Sequence, residues 1–143
     1  MKRDLETLPG HLIRRLNQRS TAVFQKRIKD APVELTSVQF AALDALSREP
    51  GMDQAQLAAR IAYDRATIGD VVKRLVQKGL VARAVSETDR RARSLHLTPE
   101  GTAALEGARP VVTRLQAEIL EGLSEEEAAQ FIALARKAVA PQD

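Results

Sequence analysis

The fold is decided by residues 64–85, DRATIGDVVKRLVQKGLVARAV. Apolar residues in this stretch recur at i, i+3, i+4, i+7 and i+8, the period of one helical face: Ile68, Val71, Val72, Leu75 and Val76. Asp64 is a suitable N-cap, and Gly79 suits the left-handed position just past the C-terminus. The side chains on the outward arc are small near the start of the helix and longer and polar further on. The arc holds Ala66, Asp70, Lys73 and Gln77, flanked by Thr67, Gly69 and Arg74. The stretch therefore predicts an amphipathic helix with a polar outer face.

A β-hairpin is predicted directly after this helix. Residues 80–85, LVARAV, are typical of one strand, and residues 94–97, SLHL, of its partner. The loop between them is SETDRRAR, and its far end carries Arg90, Arg91 and Arg93. The hairpin therefore has a basic tip.

Three further helices are predicted before this unit. The first covers residues 8–29 and ends near Ala31, because a residue before proline is pushed out of the α region. Thr36 or Ser37 caps the second, and Asp53 caps a short third helix.

Two helices are predicted after the hairpin. Thr98 and Pro99 open the fifth, which Pro110 is expected to kink or interrupt. Ser124 begins the sixth with a capping box, and four of its residues are expected to face inward: Ala128, Phe131, Ile132 and Ala135. The chain is thus predicted to be one domain, mainly α with a small β-hairpin: a winged helix-turn-helix with about six helices.

Composition narrows the class of protein. The 143 residues are 44% hydrophobic and 29% charged but only 3% aromatic, so aliphatic side chains must form the core. There is no cysteine, which excludes disulfides, thiolate zinc sites and cysteine nucleophiles. No apolar run approaches the roughly 18 residues of a membrane span, and no export signal is visible. A cytoplasmic protein without a membrane partner is expected.

Charge is distributed unevenly along the chain. Residues 60–93 carry nine Lys/Arg against four acids, a net +5, whereas residues 118–143 carry two against six, a net −4. A basic middle favours a polyanionic partner, although a solvated charged face would give the same count. The predicted elements decide in favour of the partner, because the helix fits a major groove about 12 Å wide and the arginine-tipped loop suits the minor groove. Double-stranded DNA is the expected partner.

The sequence resembles the MarR family of transcription regulators. The matching pieces also agree in spacing: Thr67-Ile68, Lys73-Arg74-Leu75, Lys78-Gly79-Leu80-Val81, Arg83, Asp89-Arg90-Arg91 and residues 95–101, LHLTPEG. The resemblance implies a homodimer, with dimerisation helices at about 5–30 and 98–140 and a DNA-binding lobe at about 36–97. It also implies that Asp89 holds Arg91 toward the minor groove.

The resemblance and the outward arc together give the candidate DNA-binding residues: Arg65, Thr67, Asp70, Lys73, Arg74, Asp89, Arg90 and Arg91. Alternatives remain open for individual residues. Thr67 would instead cap or pack its helix, and Arg74 would act as an intramolecular anchor. Arg83 either binds phosphate or braces the wing, and Arg93 is assigned a structural role.

A small-molecule pocket is the second expectation. His11, Arg15 and Gln18 fall at i, i+4 and i+7 on one face of the first helix, and arginine can clamp a carboxylate with two parallel donors. The stretch 10–18 resembles family members that respond to benzoate-like, hydroxycinnamate-like or nicotinate-like acids, and Phe40 would wall the aromatic ring. The alternative is that these charges form surface or interface ion pairs.

Three functions are therefore weighed. The first is a repressor released from DNA by a small aromatic acid, and the second is a DNA-binding regulator with no ligand, controlled by a protein partner. The third is an enzyme, which the sequence disfavours because no phosphate loop, triad or paired carboxylates occur at useful spacing. No cofactor or metal is expected, since His11 and His96 lie in separate elements.

Overall fold

The computed structural model describes residues 4–85 and 93–141. Within them six α-helices frame a two-stranded antiparallel hairpin, which confirms the expected mainly helical fold. The helices are α1 (Pro9–Arg27), α2 (Ser37–Arg48), α3 (Gln54–Arg60), α4 (Ile68–Gln77), α5 (Pro99–Ile119) and α6 (Glu125–Val139). The strands are β1 (Val81–Val85) and β2 (Arg93–Leu97), and 3-10 turns cover Leu5–Thr7 and Ile28–Asp30.

Most helix starts lie where the sequence predicts them. Thr36, rather than Ser37, caps α2: its hydroxyl accepts from the N–H of Gln39, whose side chain accepts from the N–H of Thr36. Asp53 and Ser124 form equivalent capping boxes at α3 and α6, and Thr98 caps α5 with Pro99 at its first position. Each reciprocal pair satisfies two backbone donors that the first helical turn leaves free.

The start of α4 differs from the prediction. Asp64 is not its N-cap, because the helix begins at Ile68 with no side-chain cap. The Asp64 carboxylate instead accepts from the N–H of Ala66 at 2.9 Å, and its carbonyl accepts from the N–H groups of Thr67 and Ile68. Asp64 thus closes a turn that precedes the helix, because a local bond two residues ahead competes with the capping geometry.

Pro110 does not interrupt α5, which runs through it without a break. Residues on either side of the proline are buried, among them Ala108, Val111 and Leu115. Tertiary packing of this face therefore outweighs the backbone bond that proline removes.

The core lies between α2, α3, α4, the hairpin and the first half of α5. Its fully buried large side chains include Leu43, Leu57, Ile68, Leu75 and Leu95. β2 is also hydrogen-bonded to the turn between α2 and α3: the Leu95 carbonyl accepts from the Gly51 N–H at 3.0 Å, and the Leu95 N–H donates to the Met52 carbonyl at 2.8 Å. This places the root of the hairpin against the core, next to α4.

A tight junction joins α4, β1 and α5. The Thr98 N–H donates to the Leu80 carbonyl at 3.1 Å, and its hydroxyl donates to the Gly79 carbonyl at 2.6 Å. A Cβ added at Gly101 would lie 2.0 Å from the Leu80 carbonyl oxygen, so only glycine permits this approach. Gly79 itself has φ of +76°, the left-handed conformation expected past the end of α4.

The four residues of α6 that were expected to face inward line a groove rather than the core. No residue of α6 is buried, and Ile132 is 51% exposed. The helix lies beyond the core, so its apolar side lines an open groove. No helix within residues 4–85 and 93–141 combines the length and apolar character needed to cross a bilayer.

Candidate nucleic-acid interface

The exposed side of α4 is an unobstructed polar surface. Ile68, Val71, Val72 and Leu75 anchor the helix in the core, whereas Ala66, Asp70, Lys73 and Gln77 are exposed. A helix of about 10–12 Å diameter matches the width of a B-DNA major groove. Among the predicted contact residues, Asp70 and Lys73 therefore lie on the side that a duplex can reach.

Thr67 makes a local hydrogen bond but does not cap α4 with its side chain. Its side chain is exposed just before α4, and its hydroxyl donates to the Asp64 carbonyl at 3.2 Å. The hydroxyl proton is therefore engaged locally, and it would have to leave the Asp64 carbonyl before the hydroxyl could donate to a phosphate oxygen.

Three arginines line one cleft beside α4. Arg65, Arg83 and Arg93 share a cavity of about 470 Å³ with Asp53 and Gln54, and Arg83 Nη2 lies 3.4 Å from Gln54 Oε1. These three arginines come from separate segments of the sequence, and their grouping was not predicted. The alternation of side chains along the strands could have revealed the pairing of Arg83 with Arg93. Arg83 lies opposite Leu95, and Arg93, two residues before Leu95, is on the same face of the hairpin.

Arg74 faces a second basic cleft, on the α1–α2 side of α4. This cavity of about 960 Å³ is also lined by Lys26, Lys29 and Lys78. Lys78 is anchored there, since its ammonium donates to the Glu34 carbonyl at 3.1 Å and to Gln39 Oε1 at 3.2 Å. Arg74 is exposed, and no carboxylate of the described residues lies within 4.0 Å of it. The predicted wing residues Asp89, Arg90 and Arg91 lie outside the described residues.

Two of the four predicted ligand residues share a carboxylate. Arg15 Nη1 lies 2.8 and 2.9 Å from the two carboxylate oxygens of Glu6, and His11 Nε2 lies 3.8 Å from Glu6 Oε1. The 3-10 turn at Leu5–Thr7 brings Glu6 back onto α1. Gln18 is exposed further along the helix and takes no part in this contact.

Phe40 lies in a different groove, between α2 and α5. This groove of about 360 Å³ is also lined by Asp44, Arg48, Arg109, Val112, Thr113 and Gln116. Asp44 joins its two arginines, at 2.8 Å from Arg109 Nη1 and 3.1 Å from Arg48 Nε. Asp44 and Arg109 were not predicted as site residues, because they lie 65 positions apart in the sequence.

α1 and α5 are joined by a second set of ion pairs. Arg27 Nε and Nη2 donate to the two oxygens of Glu118 at 2.6 and 3.1 Å. The hydrogen bond from Arg27 holds the pKa of Glu118 below its usual value, against the opposing effect of burial. Arg19 donates to the Glu118 and Ile119 carbonyls at the end of α5 and pairs with Glu121 at 2.9 Å. These contacts fix α1 against the far end of α5.

Beyond this junction α1, α5 and α6 form an open apolar groove. Its volume is about 950 Å³, and its lining is mainly aliphatic and aromatic, including Ile13, Leu16, Ile119, Phe131 and Leu134. Ile13 and Leu134 are 64% and 65% exposed. A contiguous exposed apolar surface of this kind marks an interaction site.

Comparison with known proteins agrees with this architecture. Residues 34–92 match the MarR family. The transcriptional regulator HosA of Escherichia coli is 35% identical over 127 residues, 89% of this chain and 91% of HosA. The HTH-type transcriptional repressor NicR of Pseudomonas putida is 35% identical over 136 residues, 95% of this chain and 85% of NicR.

A solved structure gives the same result for the whole fold. The structure of BpsR from Bordetella bronchiseptica superposes with a TM-score of 0.89 at 31% identity. The DNA binding of BpsR is regulated by 6-hydroxynicotinic acid. The match covers 99% of this chain and all of BpsR. Family match, relatives and structure all concern DNA-binding regulators rather than enzymes. The chain therefore belongs to the MarR family of transcriptional regulators.

Proposed function

We propose that this chain is a repressor that binds a pseudo-palindromic operator as a homodimer and is released by a small aromatic carboxylate. The observation that carries the DNA-binding part is the exposed polar side of α4 next to the cleft of Arg65, Arg83 and Arg93. The lobe at about 36–97 would contact DNA, and helices at about 5–30 and 98–140 would dimerise. The name of NicR supports repression.

On the duplex, Lys73 would contact phosphate or a base edge in the major groove, with Arg65, Thr67 and Arg74 on the flanking backbone. Asp89, Arg90 and Arg91 of the wing would contact the adjacent minor groove. Two copies would place their α4 helices one helical turn apart, about 34–36 Å. A footprint on two symmetric half-sites with this spacing supports the proposal, and a single asymmetric half-site contradicts it.

A second copy of the chain is the proposed occupant of the apolar groove. Burying its lining removes side chains such as Ile13, Phe131 and Leu134 from water, which is the main driving force for obligate association. The contacts that Arg19 and Arg27 make with the end of α5 hold α1 and α5, two walls of the groove, together.

Sedimentation analysis of two matched variants tests the dimer. Phe131→Glu places a charge in the groove and should shift the chain toward monomer and weaken operator binding. Gln130→Glu adds the same charge at the neighbouring exposed position, which does not line the groove, and should remain dimeric. A wild-type chain that is monomeric while bound to a two-half-site operator would contradict the proposal.

For the ligand, the contact of Glu6 with Arg15 supports a carboxylate site at this end of α1. The Glu6 carboxylate already lies between Arg15 and His11, so an aromatic acid would take the same donors after displacing it. The lining of the Phe40 groove includes no α1 residue. We infer that α1 of a second copy completes that groove. The site would then combine Phe40 of one copy with Gln18 on α1 of the other. The regulation of BpsR by 6-hydroxynicotinic acid supports this class of ligand.

Calorimetry and operator release with benzoate, 4-hydroxycinnamate and 6-hydroxynicotinate test the ligand. Arg15→Ala should abolish the response and spare DNA binding, while Arg14→Ala should leave both unchanged. Glu6→Gln should tighten ligand binding, because it removes the internal competitor. Absence of heat and of a thermal shift across the panel would favour the alternative, a regulator with no small-molecule ligand that a protein partner controls.

A further inference from the structure

Asp70 is an acidic residue on a surface that must approach a polyanion. It is the third residue of α4 and is exposed between Ala66 and Lys73 on the outward side. Within residues 4–85 and 93–141, no basic side chain lies within 4.0 Å of its carboxylate. Its backbone N–H donates to the Thr67 carbonyl at 3.2 Å, and no side-chain hydrogen bond of Asp70 is found among the described residues. The carboxylate is therefore free of any described structural partner.

The surroundings of Asp70 allow this short side chain to reach a groove floor. Ala66 lies one turn before it, and Gly69 precedes it with no side chain to shield the approach. In helix-turn-helix proteins, residues near the N-terminus of the recognition helix contact base edges. A negative charge in the first helical turn is also favourable beside the positive end of the helix dipole, and a carboxylate is purely a hydrogen-bond acceptor.

Only some DNA groups can pair with such an acceptor. Phosphate oxygens repel it, and in the major groove guanine presents N7 and O6 acceptors while thymine presents O4 and a methyl group. Adenine offers its N6 amino group, but the N7 acceptor beside it opposes the second carboxylate oxygen. Cytosine offers the N4 amino group without that neighbouring acceptor, so it is the base that a carboxylate selects.

We infer that Asp70 determines operator specificity by accepting a hydrogen bond from the N4 amino group of one cytosine in each half-site. This inference rests on the proposed DNA-binding function and adds the identity of a base. Lys73 and the arginines supply affinity for phosphates, whereas Asp70 opposes binding wherever a cytosine is absent. The acid thus acts by rejecting other sequences.

Selection of the full-length chain on a randomised duplex pool tests the inference, followed by affinities for all single-base variants of the selected operator. For the wild type, one position in each half-site should require cytosine, with a loss of about 5- to 150-fold for other bases. Asp70→Asn should move that preference to adenine, because an amide pairs with both N6 and N7. Asp70→Ala should accept all four bases there and keep the other preferences.

Asp30→Asn is the matched control, since it removes one exposed negative charge away from α4 and should leave every preference unchanged. If no position requires cytosine in the wild type, or if Asp70→Ala retains the wild-type preference everywhere, the inference is wrong. If the wild type selects no sequence at all, the proposed function itself fails.

Discussion

Replacing Gly101 with alanine should destabilise the protein more than any other glycine-to-alanine change at a helical position described here. The added Cβ would lie 2.0 Å from the Leu80 carbonyl oxygen, whereas carbon and oxygen atoms approach to about 3.3 Å even in close contacts. The start of α5 must therefore move away from Leu80 by about 1.3 Å. That movement also stretches the two hydrogen bonds that Thr98 donates, at 3.1 Å to Leu80 and at 2.6 Å to Gly79.

The magnitude follows from three contributions. Overpacking costs about 1–3 kcal/mol, and each weakened hydrogen bond costs about 1 kcal/mol. Alanine regains up to about 1 kcal/mol through its higher helix propensity. The expected net loss is about 3 kcal/mol, which lowers the Tm of a chain of this size by roughly 6–12 °C.

Thermal unfolding followed by circular dichroism measures this loss, with all proteins at one concentration because dimerisation would stabilise each of them. Gly10→Ala is the control: it is also helical, but a Cβ there meets nothing within 4 Å. Gly10→Ala should keep or slightly raise the Tm. A Tm for Gly101→Ala equal to that of Gly10→Ala would refute the argument from close approach.

Three further outcomes are expected. Lys73→Ala should lower the slope of log affinity against log salt concentration by about 0.9 if it contacts phosphate, and an unchanged slope would remove it from the backbone contacts. Arg91→Ala should weaken operator binding most at A·T-rich flanks, and an unaltered affinity would refute its minor-groove role. Glu118→Gln should lower stability at pH 7, because Arg27 lowers the pKa of Glu118 in the folded state. The stabilisation from this ion pair is therefore present above the usual pKa of 4.5 and is lost as the pH falls through the folded pKa. The variant and wild type should therefore converge in urea denaturation as the pH is lowered, and a gap that does not narrow below the usual pKa of glutamate would contradict this.

Local rules in the sequence predict most of the fold. The caps at Asp53, Thr98 and Ser124 could be predicted because each depends on residues three positions apart. Asp64 was assigned wrongly for a local reason as well: the same side chain can cap a helix or close a turn, and the sequence does not choose between them.

The site was less predictable, because its partners come from distant parts of the chain. Helical spacing placed Arg15 and His11 on one face but gave no sign that a 3-10 turn returns Glu6 to them. Phe40 was expected beside these residues, yet within one chain it lines the groove between α2 and α5 instead. The apolar period of α6 predicted a buried face, and periodicity alone does not state whether the same chain or another covers it.

The junction at Thr98 has a mechanical consequence for the whole molecule. It fastens the root of the hairpin to the first turn of α5, a helix of 21 residues and therefore about 31 Å long. A rigid rod of that length acts as a lever: a tilt of about 4° about one end displaces the other by about 2 Å. Arg19 and Arg27 grip the far end from α1. We therefore expect a small rearrangement of the terminal helices to move the hairpin as well.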